Sequence, residues 1–187
     1  MNKKSFSSLV VPVAMLLVGC ALLNACGIVR TAADEDNEPI GVMITGVHHL
    51  GPDFNIGGFS VGKSSGGNVS RNGGGASFVC CVELPRKWRP GMNVKVQWSV
   101  NDWSKAIRSE VAAGNYKSVT FEEFYAYTAI EKYDEVGGLY VHFFSEGKVR
   151  VVSSGYHVLN AKHPIKQNDP SAALLAVKGT RIPQDTK

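Results

Sequence analysis

The sequence predicts a mainly β protein, an antiparallel β-sandwich or open barrel with one or two short helices. Three observations carry this. Runs of β-branched and aromatic residues alternate with polar ones, the period at which side chains share one face of a strand. Glycine and proline clusters interrupt these runs at short intervals, as in a chain of hairpins. Leu139 to Phe144, a Ser145-Glu146-Gly147 turn and Val149 to Val152 give the plainest strand, turn and strand signal in the chain.

Taken in order, Gly41 to Leu50 sets Val42, Ile44 and Val47 in a β-branched run that Gly51-Pro52-Asp53 ends, which makes a first strand. Phe54-Asn55-Ile56 and Phe59-Ser60-Val61 form a second strand broken by Gly57-Gly58, where a bulge or a close backbone approach is expected. Lys63 to Gly75 is too rich in glycine for a regular element and reads as a surface loop. Ala76 to Leu84 is an apolar strand stopped by Pro85 and expected at the centre of its sheet. Arg86 to Gly91 then turns the chain into Asn93 to Val100, where Val94, Val96 and Trp98 alternate. The stretch from Ser65 to Trp98 is thus expected to close as a hairpin around which the rest is organised.

Between Asn101 and Tyr116 a capping residue, Ala106, Ile107 and Val111 at roughly helical spacing, and Gly114 as a stop fit a short helix or an ordered loop. Val119 to Tyr133 suits either period, and its aromatic and β-branched content favours strand. After the 139–152 hairpin, Gly155 to Val158 reads as a last short strand. In the tail from Asn160 only Ala172 to Val177 is apolar.

The chain has 187 residues, and its 44% hydrophobic content is enough for a core. Met1-Asn2-Lys3-Lys4 is positive, and Leu9 to Gly19 is an uncharged apolar run too short to span a bilayer comfortably, which together read as a secretion signal. Leu17-Val18-Gly19-Cys20 resembles a bacterial lipobox, which implies a signal peptide over residues 1–19 and a lipid on Cys20. Leu23-Asn24-Ala25-Cys26 is a second candidate, and an uncleaved anchor helix running to Val29 is the alternative to both. The residue after the cysteine is Ala21 or Gly27, and neither is the aspartate that retains such lipoproteins at the inner membrane, so the resemblance implies the outer membrane, facing the periplasm. Residues 20–39, with Asp34, Glu35, Asp36 and Glu38, read as a solvated tether, and 40–187 as a single β-rich domain. Without Lys3 and Lys4 the 20 basic residues fall to 18 against 16 acidic ones, a net of +2 that gives no reason to expect nucleic acid as a partner.

Gly57 to Ser64 satisfies the phosphate-loop pattern G-x-x-x-x-G-K-S letter for letter. That motif works because a helix begins at its lysine and aims free amides at phosphates, whereas Ser65-Gly66-Gly67-Asn68 is a poor helix start, so no nucleotide is expected. Vicinal Cys80-Cys81 admits several readings: buried apolar thiols on opposite faces of a strand, a vicinal bridge, a bond to Cys26, or a redox role without C-x-x-C. His48-His49 with Asp53 and His142 invites a metal, but adjacent strand residues face opposite ways and neither H-x-x-x-H nor a Cys/His cluster is present, so no metal is expected. G-x-S-x-G is absent as well, and spacing alone shows no Ser-His-Asp arrangement. No cofactor and no enzymatic activity are expected. Trp98 alternates into the core. Trp88, set among Arg86, Lys87 and Arg89, and Trp103, just past a strand end, are either lids over the ends of the sandwich or partner contacts, tryptophan and arginine being enriched at the energetic centres of interfaces.

The motif CC-x-x-LP-x-x-W-x-PG, here Cys80-Cys81, Leu84-Pro85, Trp88 and Pro90-Gly91, resembles the core of a family of small bacterial lipoproteins of unknown function. The likeness runs from Ile40 to about Val152. It implies an immunity protein that binds and neutralises a lipase effector of the type VI secretion system, and it transfers no catalytic residue. Partner-binding candidates are Arg86, Lys87, Trp88 and Trp103. A structural or accessory outer-membrane lipoprotein without enzymatic activity is the competing reading, and an enzyme is a third class that loss of activity on changing one polar residue would reveal.

Overall fold

The computed structural model describes residues 38–71, 73, 76–167 and 169–184, so the expected signal peptide, Cys20, Cys26 and nearly all of the expected tether lie outside the described residues. Ten strands are present among these residues: β1 (Pro39–His48), β2 (Phe54–Val61), β3 (Ser64–Val69), β4 (Ala76–Pro85), β5 (Asn93–Asp102), β6 (Thr120–Ala129), β7 (Gly138–Phe144), β8 (Lys148–Ser154), β9 (Val177–Lys178) and β10 (Thr180–Ile182). Sheet A has the order β4-β1-β7-β8-β9 and sheet B the order β10-β6-β5-β2-β3. The architecture is the predicted sandwich, two sheets facing each other and not a closed barrel. Its core joins Ile44, Leu139, Val141 and Phe143 of sheet A to Ile56, Phe59, Val96 and Trp98 of sheet B. No helix among the described residues is long and apolar enough to cross a membrane.

The expected meander of hairpins holds only in part. β1 pairs with β7 in parallel, and the predicted β7–β8 hairpin is present, from Gly138 opposite Ser154 to Phe144 opposite Lys148. β2 carries the expected irregularity, its register against β5 shifting between Ile56 and Gly58.

The hairpin expected between Ser65 and Trp98 does not form. β4 pairs with β1 in sheet A and β5 pairs with β2 and β6 in sheet B, so Arg86 to Met92 carries the chain from one sheet to the other. Three contacts hold that crossing: the Trp88 indole donates to the Ile130 carbonyl at 2.8 Å, the Tyr133 hydroxyl donates to the Pro85 carbonyl at 2.7 Å, and the Ile130 amide donates to the Met92 carbonyl at 2.9 Å. β4 is also an edge strand and not a central one. β3, the edge of the other sheet, packs against it, and the Ser64 hydroxyl donates to the Cys81 carbonyl at 2.8 Å.

The glycine-rich segment expected as a loop supplies β3, paired with β2 across the Gly62-Lys63 turn. A side chain at Gly66 would be built into the ring of Phe59, its Cβ 2.0–2.6 Å from three ring carbons, so this strand is glycine-rich because the aromatic ring lies across it. Phe59 is itself buried and packed edge-on against Phe143 at 5.2 Å, and it has nowhere to retreat. Gly66→Ala is therefore expected to destabilise by about 1–2 kcal/mol through overpacking, read as a lower midpoint in urea unfolding.

The helix predicted after β5 is short, α1 (Arg108–Ala112). It starts after Ile107 with no polar cap, and Gly114 follows in a left-handed conformation. Gly155 to Val158 forms no strand. Instead the chain beyond β8 lies over the outer face of sheet A, where Val158, Ile165 and Ala172 pack with Val47, Tyr140, Phe144 and Val152. A 3₁₀ helix at Pro170–Leu175 closes this cover, with Pro170 in its first turn and the Asp169 carboxylate accepting from the Ser171 amide at 2.9 Å. β7 and β8 are consequently buried on both faces, although in sequence β8 carries Arg150 and β7 carries His142.

Candidate functional site

Pairing of Phe54 with Asp102 brings the start of β2 beside the end of β5, and the Trp103 amide donates to the Asp53 carbonyl at 2.8 Å. Trp103 is half-buried there. Its indole donates to Asn55 Oδ1 at 2.6 Å, which fixes the ring. The guanidinium of Arg71 lies 5.3 Å from the centre of that ring, within cation–π range, and Tyr116 meets the ring edge-on at 6.1 Å. Arg71 and Tyr116 are both exposed, so an aromatic and arginine cluster stands at this end of the sandwich with its central ring already held in place. Next to it, Asp102 accepts a hydrogen bond from the Ser104 amide at 2.8 Å, and bonds from Ser104 hold its carboxyl below the usual range. Arg71 also borders an open cavity of about 400 Å³ shared with His48, His49, Pro52 and Gln167.

The four partner-binding candidates divide into two groups. Arg86, Lys87 and Trp88 lie on the crossing between the sheets, at the Asn93 end of β5, whereas Trp103 follows its Asp102 end. Ten residues of strand separate the two groups, roughly 30 Å at about 3.3 Å per residue. Arg86 and Lys87 are exposed, and Trp88 is half-buried against the core with its indole on Ile130. Both tryptophans are half-buried, at opposite ends of β5, and of the two Trp103 has an exposed arginine and tyrosine ordered around it. Sequence reading missed Arg71 and Tyr116. They lie 32 residues before and 13 residues after Trp103, and no local pattern links them.

Cys80 and Cys81 are bonded to each other, the vicinal bridge among the open readings, and so are neither free buried thiols nor a partner for Cys26. They stand where two residues of β4 oppose the single Met43 of β1, at a break in register, with a cis peptide between them. Cys80 is exposed and not a buried thiol.

His48 and His49 face different ways, as adjacent strand residues are expected to. His48 turns to the Ser70 carbonyl, its Nε2 at 2.7 Å, while its Nδ1 accepts from the Leu50 amide at 3.3 Å, so both nitrogens are engaged and the ring is the Nε2–H tautomer. His49, His142 and His163 meet in a line. His49 Nδ1 lies 3.0 Å from the Gln167 carbonyl, His49 Nε2 lies 2.9 Å from His142 Nδ1, His142 Nε2 lies 3.1 Å from His163 Nε2, and His163 Nδ1 lies 2.8 Å from the Tyr156 carbonyl. Burial pushes all four of these histidines below the ordinary imidazole range, His142 most strongly, and carbonyl contacts pull His48, His49 and His163 partly back. Each ring spends both nitrogens within the line. Among the described residues no group of three His, Cys, Asp or Glu is placed to hold a metal, and Asp53 takes no part in the line. His163 was missed because it stands alone in a tail without periodicity.

A family described as "Protein of unknown function (DUF3304)" matches residues 52–151. The match takes in Arg71, Cys80, Cys81, Arg86, Lys87, Trp88, Trp103, Tyr116 and His142, and it stops short of His49 on one side and His163 on the other. No curated protein and no solved structure matches the chain.

Proposed function

The chain belongs to this family of unknown function, and from that premise we propose that it is a periplasm-facing lipoprotein of the outer membrane that binds and neutralises a phospholipase effector of type VI secretion. A phospholipase delivered by a rival cell attacks from the periplasm, so a neutraliser held by a lipid on Cys20 waits beside the membrane under attack. Such a protein needs a surface and no chemistry. It covers the lipase's active-site mouth or its lipid-docking face.

The observation that carries the reading is the ordered Arg71, Trp103 and Tyr116 cluster. These are the residue types that dominate binding energy at interfaces, and Trp103 is fixed by Asn55 before any partner arrives, which lowers the entropy cost of docking. Arg86 and Lys87 offer a second, separate contact. The test is co-purification of the lipid-anchored protein, in detergent, with a lipase encoded by a neighbouring gene. Trp103→Ala is expected to weaken that complex by about 2 kcal/mol, roughly 30-fold, in a titration calorimetry comparison, with folding unchanged by circular dichroism. A lipase that stays fully active at saturating wild-type protein would end this proposal. An envelope defect on deletion without loss of protection against rival strains would favour a structural lipoprotein.

A further inference from the structure

The line of three imidazoles lies under the segment that covers the outer face of sheet A. Four contacts join it, two between imidazole nitrogens and one at each end to a backbone carbonyl, all between 2.8 and 3.1 Å. These are hydrogen-bond distances, and each bond needs one hydrogen. A neutral imidazole carries one N–H, so three neutral rings supply three hydrogens for four contacts. No choice of tautomers closes the gap. Both ends of the line are carbonyl oxygens, which only accept, so with three neutral rings one contact must set two acceptors face to face. One added proton completes the line: His49 Nδ1–H and His163 Nδ1–H donate outward, and each inner contact holds a single hydrogen. A second added proton would point N–H at N–H. The line therefore has room for one extra proton and for no more.

We infer that His49, His142 and His163 form a site that binds one proton as a unit, so that the cavity bordered by His49 and Arg71 changes its charge by a single step in mild acid. Nothing in the proposed partner binding requires this site, and it stands or falls separately.

The surroundings work in both directions. Burial opposes the charge, as does Arg150 from β8, which acts on His49 and His142. His48 from β1 acts on His49, and His157 from the covering segment acts on His163. Glu131 offsets the Arg150 charge through a two-pronged pair at 2.6 and 2.9 Å. The outer rings of the line rest on aromatic partners: His49 stacks on Phe144 at 4.5 Å with 7° between planes, and His163 meets Tyr140 edge-on at 4.6 Å. His49 also borders the open cavity, which gives protons a way in. Both terminal carbonyls, of Tyr156 and Gln167, belong to the covering segment, so the completed line ties that segment to β7 and to the residue after β1.

The test uses the full chain in detergent micelles with ¹⁵N in its histidine rings, followed by long-range ¹H–¹⁵N spectra from about pH 8 to about pH 5, the range that spans ordinary imidazole titration. The expected result is that His49, His142 and His163 move through one common midpoint and gain one proton between them. His142→Gln should uncouple His49 from His163, which would then titrate separately. Separate midpoints in the wild type, an uptake of two or more protons, or three rings that stay neutral until the protein unfolds would each overturn the inference. The wild-type titration decides alone if the variant does not fold.

Discussion

Phe143→Ala is expected to lower the free energy of unfolding by about 3–5 kcal/mol, the range for deleting a large aromatic side chain from a core. Phe143 has no exposed surface. It reaches from β7 in sheet A to two rings of sheet B, edge-on to Phe59 at 5.2 Å and tilted against Trp98 at 5.7 Å, and Trp98 in turn stacks on Phe124 at 5.6 Å. The truncation therefore removes the hub of a four-ring cluster that joins the two layers. Collapse of the void would need the sheets to approach, but each neighbour is held by its own ladder, Phe59 opposite Trp98 and Trp98 opposite Phe124. Denaturant unfolding of wild type and variant measures the difference, with an unchanged slope showing that the native state stays intact. A loss under about 1 kcal/mol would mean that the two layers do not depend on this cluster.

The same cluster shows what was legible in the sequence. Trp98 lies in a strand whose alternation with Val94 and Val96 is local, so its inward direction follows from the pleat alone, and β5, β6, β7 and β8 were all predicted within a few residues. Phe143, by contrast, sits in an apolar run without alternation, and its direction was not legible. Partner choice is not local. Arg86 to Gly91 carries turn residues that serve a hairpin and a crossing between sheets equally well, and the contacts that hold the crossing, Trp88 on Ile130, Tyr133 on Pro85 and Ile130 on Met92, come from far along the chain. β3 was misread for a related reason: Gly66 has no strand propensity of its own, and the strand exists because Phe59, seven residues earlier, lies over it. β9 and β10 have two and three residues, too few for any period to show.

The candidate site was legible only as its residue types. Trp103 was singled out, but its neighbours Arg71 and Tyr116 arrive from the end of β3 and from beyond α1. His48, His49, Asp53 and His142 were weighed together for a metal, and of these His49 and His142 do meet, but in a line that consumes both nitrogens of each ring and includes a third histidine from the tail. Short-range spacing rules cannot reveal a contact spanning 93 positions.

Glu131→Gln is expected to cost about 3 kcal/mol, because it leaves a buried guanidinium without its counter-charge. Arg150 is nearly enclosed, its side chain 10% exposed, and its donors divide between Glu131 and the Ala172 carbonyl, the latter at 2.8 Å. Glutamine keeps the shape of Glu131 but can accept with only one oxygen, and its amide N–H would face another donor. Glu131 itself is 35% exposed, so water reaches its side of the pair and the cost falls at the low end of what breaking a buried ion pair exacts. Through Ala172 the pair also anchors the 3₁₀ helix that covers sheet A, so the loss should appear both in the unfolding midpoint and as faster amide hydrogen exchange over 170–175. Replacing both partners, Glu131→Gln with Arg150→Met, separates charge from packing. It removes the stranded cation, so the double variant should recover part of the stability lost in the single one, whereas additive losses would show that Arg150 contributes through its hydrogen bond to Ala172 and its packing, with the ion pair adding little.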